Sequence, residues 1–279
     1  MKQILMTGVG AYLPEGILTN DELSKFLDTD DNWIRQRTGI VSRRRANPEE
    51  FTSDLAVKAA HQALKKSGVA ISDIDCIILA TTTPDYTFPS TATIVQQKLG
   101  AENAFAFDVQ AVCAGFVYAL SVANGLMSSG QSSNALVIGA ETFTKLLDWK
   151  DRSTCVLFGD GAGAVVLQAE NSKLGYGIIA NKLYSDGRYK EILYVDGGVS
   201  KTGTVGHVKM RGRDVFKHAV EKLATAMDEV LNLANLTPND IDWLVPHQAN
   251  IRIINAMQKK LNLPDEKVIK TVSEHANTS

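Results

Sequence analysis

The chain has 279 residues, with 29 Lys and Arg against 31 Asp and Glu and a formal net charge of −2. Apolar residues make up 44 % and charged residues 22 %, the proportions of a folded globular chain, which excludes disordered, collagenous and coiled-coil classes. Near-neutral charge argues against bulk nucleic-acid binding, which needs a basic excess, but leaves room for a local basic patch.

The length suits one large domain or two medium ones. The opening run Met1-Lys2-Gln3-Ile4-Leu5-Met6-Thr7-Gly8 is too short for a signal peptide and has no small-residue cleavage site after it. No stretch approaches the roughly eighteen apolar residues of a membrane helix. Cys76, Cys113 and Cys155 lie far apart with no Cys-x-x-Cys pair, so zinc and disulfide frameworks are poor readings and a reducing cytoplasm is expected.

In chain order, Ile4 to Val9 reads as a strand, and Asn20 to Phe26 and Asp31 to Arg37 as short helices. Thr52 to Lys66 reads as a longer helix, with Leu55, Ala56, Ala59, Ala60, Ala63 and Leu64 on one face and Gly68 past its end. Ile77-Ile78-Leu79-Ala80, Leu136-Val137-Ile138 and Val165-Val166-Leu167 are continuous apolar strands, the pattern of strands covered on both faces in a parallel sheet. Helices alternate with strands throughout, so the expected class is α/β.

The second half echoes the first. Ser72-Asp73-Ile74-Asp75 and Asn239-Asp240-Ile241-Asp242 each follow a helix, the second being Gly212 to Asn235, at an offset of 167 residues. Each then leads to an apolar strand, a helix ending in Lys-Leu (Lys98-Leu99, Lys260-Leu261), and another strand (104–109, 268–272). Four elements in one order point to duplication, with halves 1–169 and 170–279.

Cys113 lies at a strand-to-helix junction, in Ala111-Val112-Cys113-Ala114-Gly115-Phe116. The positive end of the helix Ala114 to Ser128 favours a thiolate there, and small neighbours leave room for a substrate. A packing cysteine is the alternative. Cys76 and Cys155 sit in apolar sequence and read as core. His247 ends the second-half strand in Val245-Pro246-His247-Gln248-Ala249-Asn250, where α/β sites collect, although an isolated His there can be structural. Asn277 takes roughly the place in the second repeat that Cys113 holds in the first. Alone it reads as a turn residue. Phe158-Gly159-Asp160-Gly161-Ala162-Gly163-Ala164 lacks the context and Lys of a phosphate loop and reads as close backbone packing.

These motifs, together with Arg152 and Asn277-Thr278-Ser279, resemble the β-ketoacyl-acyl-carrier-protein synthase III family from the first strand to the last residue. The resemblance implies a thiolase-like fold of two duplicated α/β halves in a five-layer αβαβα arrangement, usually a homodimer. It implies initiation of type II fatty-acid synthesis by decarboxylative condensation of an acyl-CoA with malonyl-acyl-carrier protein, without a cofactor or metal. Carried over by position, Cys113 is the acyl acceptor and His247 and Asn277 complete the triad, while His275 is not the second His of elongating enzymes. Trp33, Arg37, Arg152, Gly212 and Asn250 match coenzyme A contacts. Lys217, Gln248, Ala249, Asn250, Ile251, Arg252, Lys259 and Lys260 match a carrier-protein surface. Phe88 matches a residue that reaches across the dimer to the acyl pocket. Ala276 stands where the family usually has Gly, so the backbone before Asn277 is expected to be restricted.

By the internal repeat, the second half stops about fifty residues short of the first. The resemblance places there a helix, closing strands and a Gly-rich loop that donates to the oxyanion hole, so a chain stopping at Ser279 is expected to lack stability or activity. Other readings are a polyketide starter or 3-hydroxy-3-methylglutaryl-type synthase, the latter needing an acid/base Glu with no match here, a non-catalytic acyl or carrier-protein binding module, and a cysteine hydrolase using Cys113 and His247.

Overall fold

The computed structural model describes residues 2–171 and 175–279. Met1 of the opening apolar run lies outside the described residues. By contact, the chain forms two compact units interleaved along the sequence: Met1–Glu15, Ala46–Thr142 and Asp160–Asn181, and Gly16–Arg45, Phe143–Gly159 and Lys182–Ser279.

The first unit is built on a five-stranded sheet in the order Gln3–Tyr12, Gly161–Glu170, Asn134–Glu141, Cys76–Ala80, Phe105–Val109. Its apolar strands are covered on both faces, as their sequence requires. Ile77, Leu79, Leu136 and Ile138 join one buried cluster with the helices Thr52–Ser67 and Thr91–Leu99. Cys76, Ile78, Ala135 and Val137 join the opposite cluster with the helix Gly115–Ser128. The period of two sends alternate side chains to opposite faces, so an all-apolar strand needs two covers.

The expected parallel sheet is only half parallel. Cys76–Ala80 runs parallel to both Phe105–Val109 and Asn134–Glu141, but Gly161–Glu170 runs antiparallel to its neighbours on each side. Burial on both faces makes a strand apolar whichever way it runs, so composition could not give its direction.

The helix Thr52–Ser67 buries the predicted face, Leu55, Ala56, Ala59, Ala60, Ala63 and Leu64, and ends at Gly68 in the left-handed region. The first strand lies on it so closely that a Cβ on Gly8 or Gly10 would fall 2.2 Å from Ala63 O or 2.1 Å from Ala59 O. Only glycine permits that approach.

The second unit has far less ladder: Gly16–Thr19 paired with Ser42–Arg45, and Leu193–Val195 paired with Val208–Met210. Its core gathers Leu23, Ile34, Ile40, Phe143, Phe158, Ile254, Val268 and Val272. The expected strands near 244 and 268 shrink to one parallel bridge, Leu244 to Val268, held by hydrogen bonds Leu244 N to Lys267 O (2.8 Å) and Ile269 N to Leu244 O (3.0 Å). Leu244 stands in the repeat where Ile77 pairs in parallel with Ala106. Each arm also starts from a short 3-10 turn, Ile71–Asp73 and Pro238–Asp240. On the long helix Gly212–Ala234, Phe216, Val220, Leu223, Met227 and Val230 are half-buried, and only Ala224 is fully buried.

Candidate active site

Cys113 sits in a 3-10 turn, Val112–Ala114, that runs straight into the helix Gly115–Ser128. The turn packs close to the sheet: a Cβ on Gly115 would come within 3.2 Å of Ala80 Cβ. Val112 takes φ 49°, a conformation that costs a β-branched residue on the order of 1–3 kcal/mol. This sharp elbow carries the chain from the end of strand Phe105–Val109 into the helix and leaves Cys113 half-buried at the helix's positive end. The other two cysteines are core, as expected. Burial pushes the Cys76 thiol up to about 12, with Asp75 adding to it, and the Cys155 thiol up to about 11, with Asp151 adding to it.

The C-terminal ends of the three mutually parallel strands also carry a polar cluster that sequence reasoning missed. Glu141 ends its strand almost wholly buried, and burial pushes its carboxyl up to about 8, against hydrogen bonds from Thr83, Thr82 and Thr81 and with Cys113 raising it further. A carboxylate closing the apolar run 135–140 was the available signal.

In the second unit, His247 lies just past the Leu244 bridge. Its Nε2 is buried and has no hydrogen-bond partner among the described residues, and burial pushes the imidazole down to about 4. At neutral pH the ring is therefore uncharged. Gln248 ties this loop to the segment leading to Asn277. Its Oε1 accepts from the N–H groups of Thr271 (2.8 Å) and Val272 (3.1 Å), and its Nε2 donates to Pro246 O and Ile269 O (3.0 Å each).

Asn277 is buried and pinned through its backbone, its N–H donating to Leu157 O and its C=O accepting from Gly159 N–H, both 2.9 Å. Its Oδ1 accepts from Ser279 N–H (2.8 Å), which orients the amide NH2 end for donation. Ala276 before it takes φ 63° and ψ −162° while fully buried, the restricted backbone that the missing glycine implied. His275 is held between the Thr271 hydroxyl (2.8 Å) and the Ala276 carbonyl (2.7 Å). In the glycine run the expected close packing holds at Gly159, where a Cβ would lie 2.6 Å from His275 O, whereas one on Gly163 would meet only Gly10 O at 4.0 Å.

Trp33, Arg37 and Arg152 come together. The Arg37 and Arg152 guanidiniums lie over the Trp33 ring at 4.4 and 5.0 Å. Asp30 caps the helix Asp31–Thr38 that carries Trp33 and Arg37, and Arg152 is hydrogen-bonded to the carbonyl and carboxylate of Asp28. Gly212 opens the long helix Gly212–Ala234. Asn250 caps the helix Ile251–Leu261 by accepting from Ile253 N–H (3.0 Å), so its side chain already has a structural task.

Ile251 fills the space beside Gly39, where a Cβ would fall 2.6 Å from Ile251 Cβ. Ala249 is half-buried, its N–H donating to His247 O (2.9 Å). Lys217, Arg252, Lys259 and Lys260 are all exposed, with Arg252 reaching over the Phe216 ring at 5.2 Å. In the first unit, Phe88 is 84 % exposed.

The chain matches the family model for 3-oxoacyl-[acyl-carrier-protein] synthase III over residues 107–187 and the model of that enzyme's C-terminal part over 231–279. A β-ketoacyl-[acyl-carrier-protein] synthase III of Rhodobacter capsulatus is 57 % identical over 278 residues, 99 % of this chain and 86 % of the relative. One of Wolbachia pipientis is 56 % identical over 280 residues, 100 % and 87 % of the two chains. The crystal structure of the synthase III from Aquifex aeolicus superposes with a TM-score of 0.93 at 45 % identity, covering 100 % of this chain and 87 % of that one. A priming β-ketosynthase of the R1128 polyketide pathway gives 0.92 at 36 %, covering 99 % and 84 %. With this fold, thiolase-like and α/β, and with these relatives across its whole length, the chain belongs to the β-ketoacyl-[acyl-carrier-protein] synthase III family of condensing acyltransferases.

Proposed function

We propose that the chain performs the initiating condensation of fatty-acid synthesis: acyl transfer from an acyl-CoA, acetyl-CoA first among candidates, to Cys113, then decarboxylative condensation with malonyl-acyl-carrier protein. The observation that carries this reading is the seat of Cys113 on a strained elbow at a helix N-terminus, in a chain of this family. The thiolate attacks the thioester carbonyl, the C–S bond to coenzyme A breaks, and CoA leaves as the thiol. The stored thioester splits one hard step into two.

Malonyl-acyl-carrier protein then loses CO2, and the electron pair of the broken C–C bond becomes an enolate. His247 and Asn277 are proposed as donors to its oxygen, each worth a few kcal/mol. A neutral imidazole and an amide suffice, because decarboxylation, not a base, makes the carbanion. The carbanion attacks the acyl-Cys113 carbonyl, the Cys113 C–S bond breaks, and a 3-ketoacyl-acyl-carrier protein forms. This chemistry needs no resident cofactor.

Trp33 and Arg152 are proposed to stack on the adenine of CoA, with Arg37 at its phosphates. The exposed Lys217, Arg252, Lys259 and Lys260 supply a basic face for an acidic carrier protein. Homodimer formation is proposed through the open edge strand Phe105–Val109 and exposed Phe88, and a cytoplasmic location is proposed as well. Among the described residues, no helix is long and apolar enough to cross a membrane.

The test is incubation with radiolabelled acyl-CoA of several chain lengths, trapping of the acyl-enzyme and peptide mapping. Label on the Cys113 peptide, lost in Cys113→Ala, is expected, and its absence overturns the reading. The likeness to a polyketide priming enzyme favours a second reading, in which the condensation serves a polyketide starter. Preference for a carrier protein of that class over a fatty-acid carrier would select it.

A further inference from the structure

The three mutually parallel strands of the first unit end together, and their C-terminal residues form one buried polar cluster beside the nucleophile's turn. After Cys76–Ala80 come Thr81, Thr82 and Thr83. After Phe105–Val109 come Gln110 and the turn of Cys113. Asn134–Glu141 ends in Glu141 and Thr142. Thr52, Thr81, Thr83, Glu141 and Thr142 are all buried.

Glu141 Oε1 accepts from Thr82 N–H (2.8 Å), and Oε2 is hydrogen-bonded to Thr83 Oγ1, with Thr81 Oγ1 at 3.4 Å. Thr83 Oγ1 also accepts from Thr142 N–H (2.9 Å) and lies 3.3 Å from Thr52 Oγ1, while Thr52 donates to Thr83 O (2.6 Å). Gln110, at the head of the Cys113 turn, donates to Thr82 Oγ1 (3.0 Å). The network thus links Glu141 to the segment carrying the nucleophile through one threonine.

No cation partners Glu141 among these contacts. A carboxylate in such a site carries an uncompensated buried charge, and a carboxylic acid does not. The threonine hydroxyls can turn to donate to a carboxylate or accept from an acid without moving their oxygens, so the network accommodates both forms. A charge on Cys113 would add to burial in raising the Glu141 carboxyl. The other carboxylates nearby are engaged elsewhere: Asp108 accepts from Thr91 and Ala92 N–H, and Asp85 from Ser53 N–H.

We propose that Glu141 is a positioning residue for Cys113. Kept as a neutral acid, it clamps the Thr81–Thr83 turn and leaves the field at the thiol free of negative charge. Its ionisation opposes formation of the thiolate. This rests on the reading of Cys113 as nucleophile, but its test uses alkylation, not condensation. The two therefore fail separately: lack of acyl labelling at Cys113 sinks the function and leaves the coupling measurable.

The sign follows from the charges. Below pH 8 Glu141 is mostly protonated in the unaltered protein, and Glu141→Gln, which keeps the shape, alkylates at Cys113 at the same rate. Above pH 8 the unaltered protein gains a carboxylate beside the thiol, so its thiolate fraction lags. The rate ratio of variant to unaltered protein for iodoacetamide at Cys113, read by peptide mass, is expected to rise from near one at pH 6.5 to about three- to tenfold at pH 9, the scale of sites coupled by about one pK unit. It should close again once both groups ionise. A ratio that does not change with pH overturns the proposal, because a merely structural role scales the rate equally.

If Glu141→Gln does not fold, the unaltered protein supplies the second readout. Converting Cys113 to its neutral carboxamidomethyl form should lower the pH at which the buried carboxyl's infrared C=O band disappears. No shift overturns the coupling.

Discussion

The two units position their chemical groups by different means. In the first, five strands and two covering layers fix the backbone, and Cys113 follows from where a strand ends and a helix begins. In the second, the bridge between Leu244 and Val268 is a single residue pair, and side chains replace the missing ladder. Gln248 alone makes four hydrogen bonds to backbone groups on two segments. Arg43, fully buried, donates to Leu18 O, Asn20 Oδ1 and Val156 O. A ladder spreads positional control over many equivalent bonds, whereas a cross-tie concentrates it in one residue. The second unit should therefore be the more sensitive to single polar changes and the first to lost volume.

The largest effect on stability should come from the first unit's core. Ile78→Ala empties a fully buried position, and about 3–4 kcal/mol should be lost in urea unfolding with Cys113 alkylation intact in the folded fraction. Next comes acid sensitivity from the second unit. The native His247 pKa of about 4 lies below the ordinary 6.5, so the unfolded chain binds the extra proton between these values. That part of the stability is complete above pH 6.5 and is lost as pH falls toward 4, a change on the order of 2–3 kcal/mol. His247→Asn should flatten this slope, and an unchanged slope would mean that the imidazole is not held neutral.

Gln248→Ala should cost about 2 kcal/mol, because it strands the Thr271 and Val272 N–H groups. It should also lower condensation more than Cys113 acylation, since it loosens the path to Asn277. Equal losses in both half-reactions would show that the cross-tie does not serve Asn277. The smallest effect is a gain. Ala276→Gly relieves the φ of 63° and should add about 0.5–1 kcal/mol, visible as a higher Tm.

Much of the first unit was legible because its signals are local. The buried face of Thr52–Ser67, the sheltered strands at 77–80 and 136–138, and the junction at Cys113 each follow from residues within one or two turns of each other. In the second unit the repeat led to strands near 244 and 268, and the pairing there shrank from two strands to the single Leu244–Val268 bridge. The Trp33, Arg37 and Arg152 cluster was legible only through family resemblance, because 115 residues separate Arg37 from Arg152.

The sequence by itself determined the α/β class, from apolar strands alternating with helices, and the two core cysteines, from their apolar surroundings, whereas the restricted backbone at Ala276 was legible only through the family resemblance. Only the tertiary structure decided the antiparallel course of Gly161–Glu170, the cross-ties of Gln248 and the environment of Glu141. Strand direction depends on which distant strand offers its N–H and C=O groups, and the charge of a carboxyl depends on the water and dipoles that other segments remove or supply.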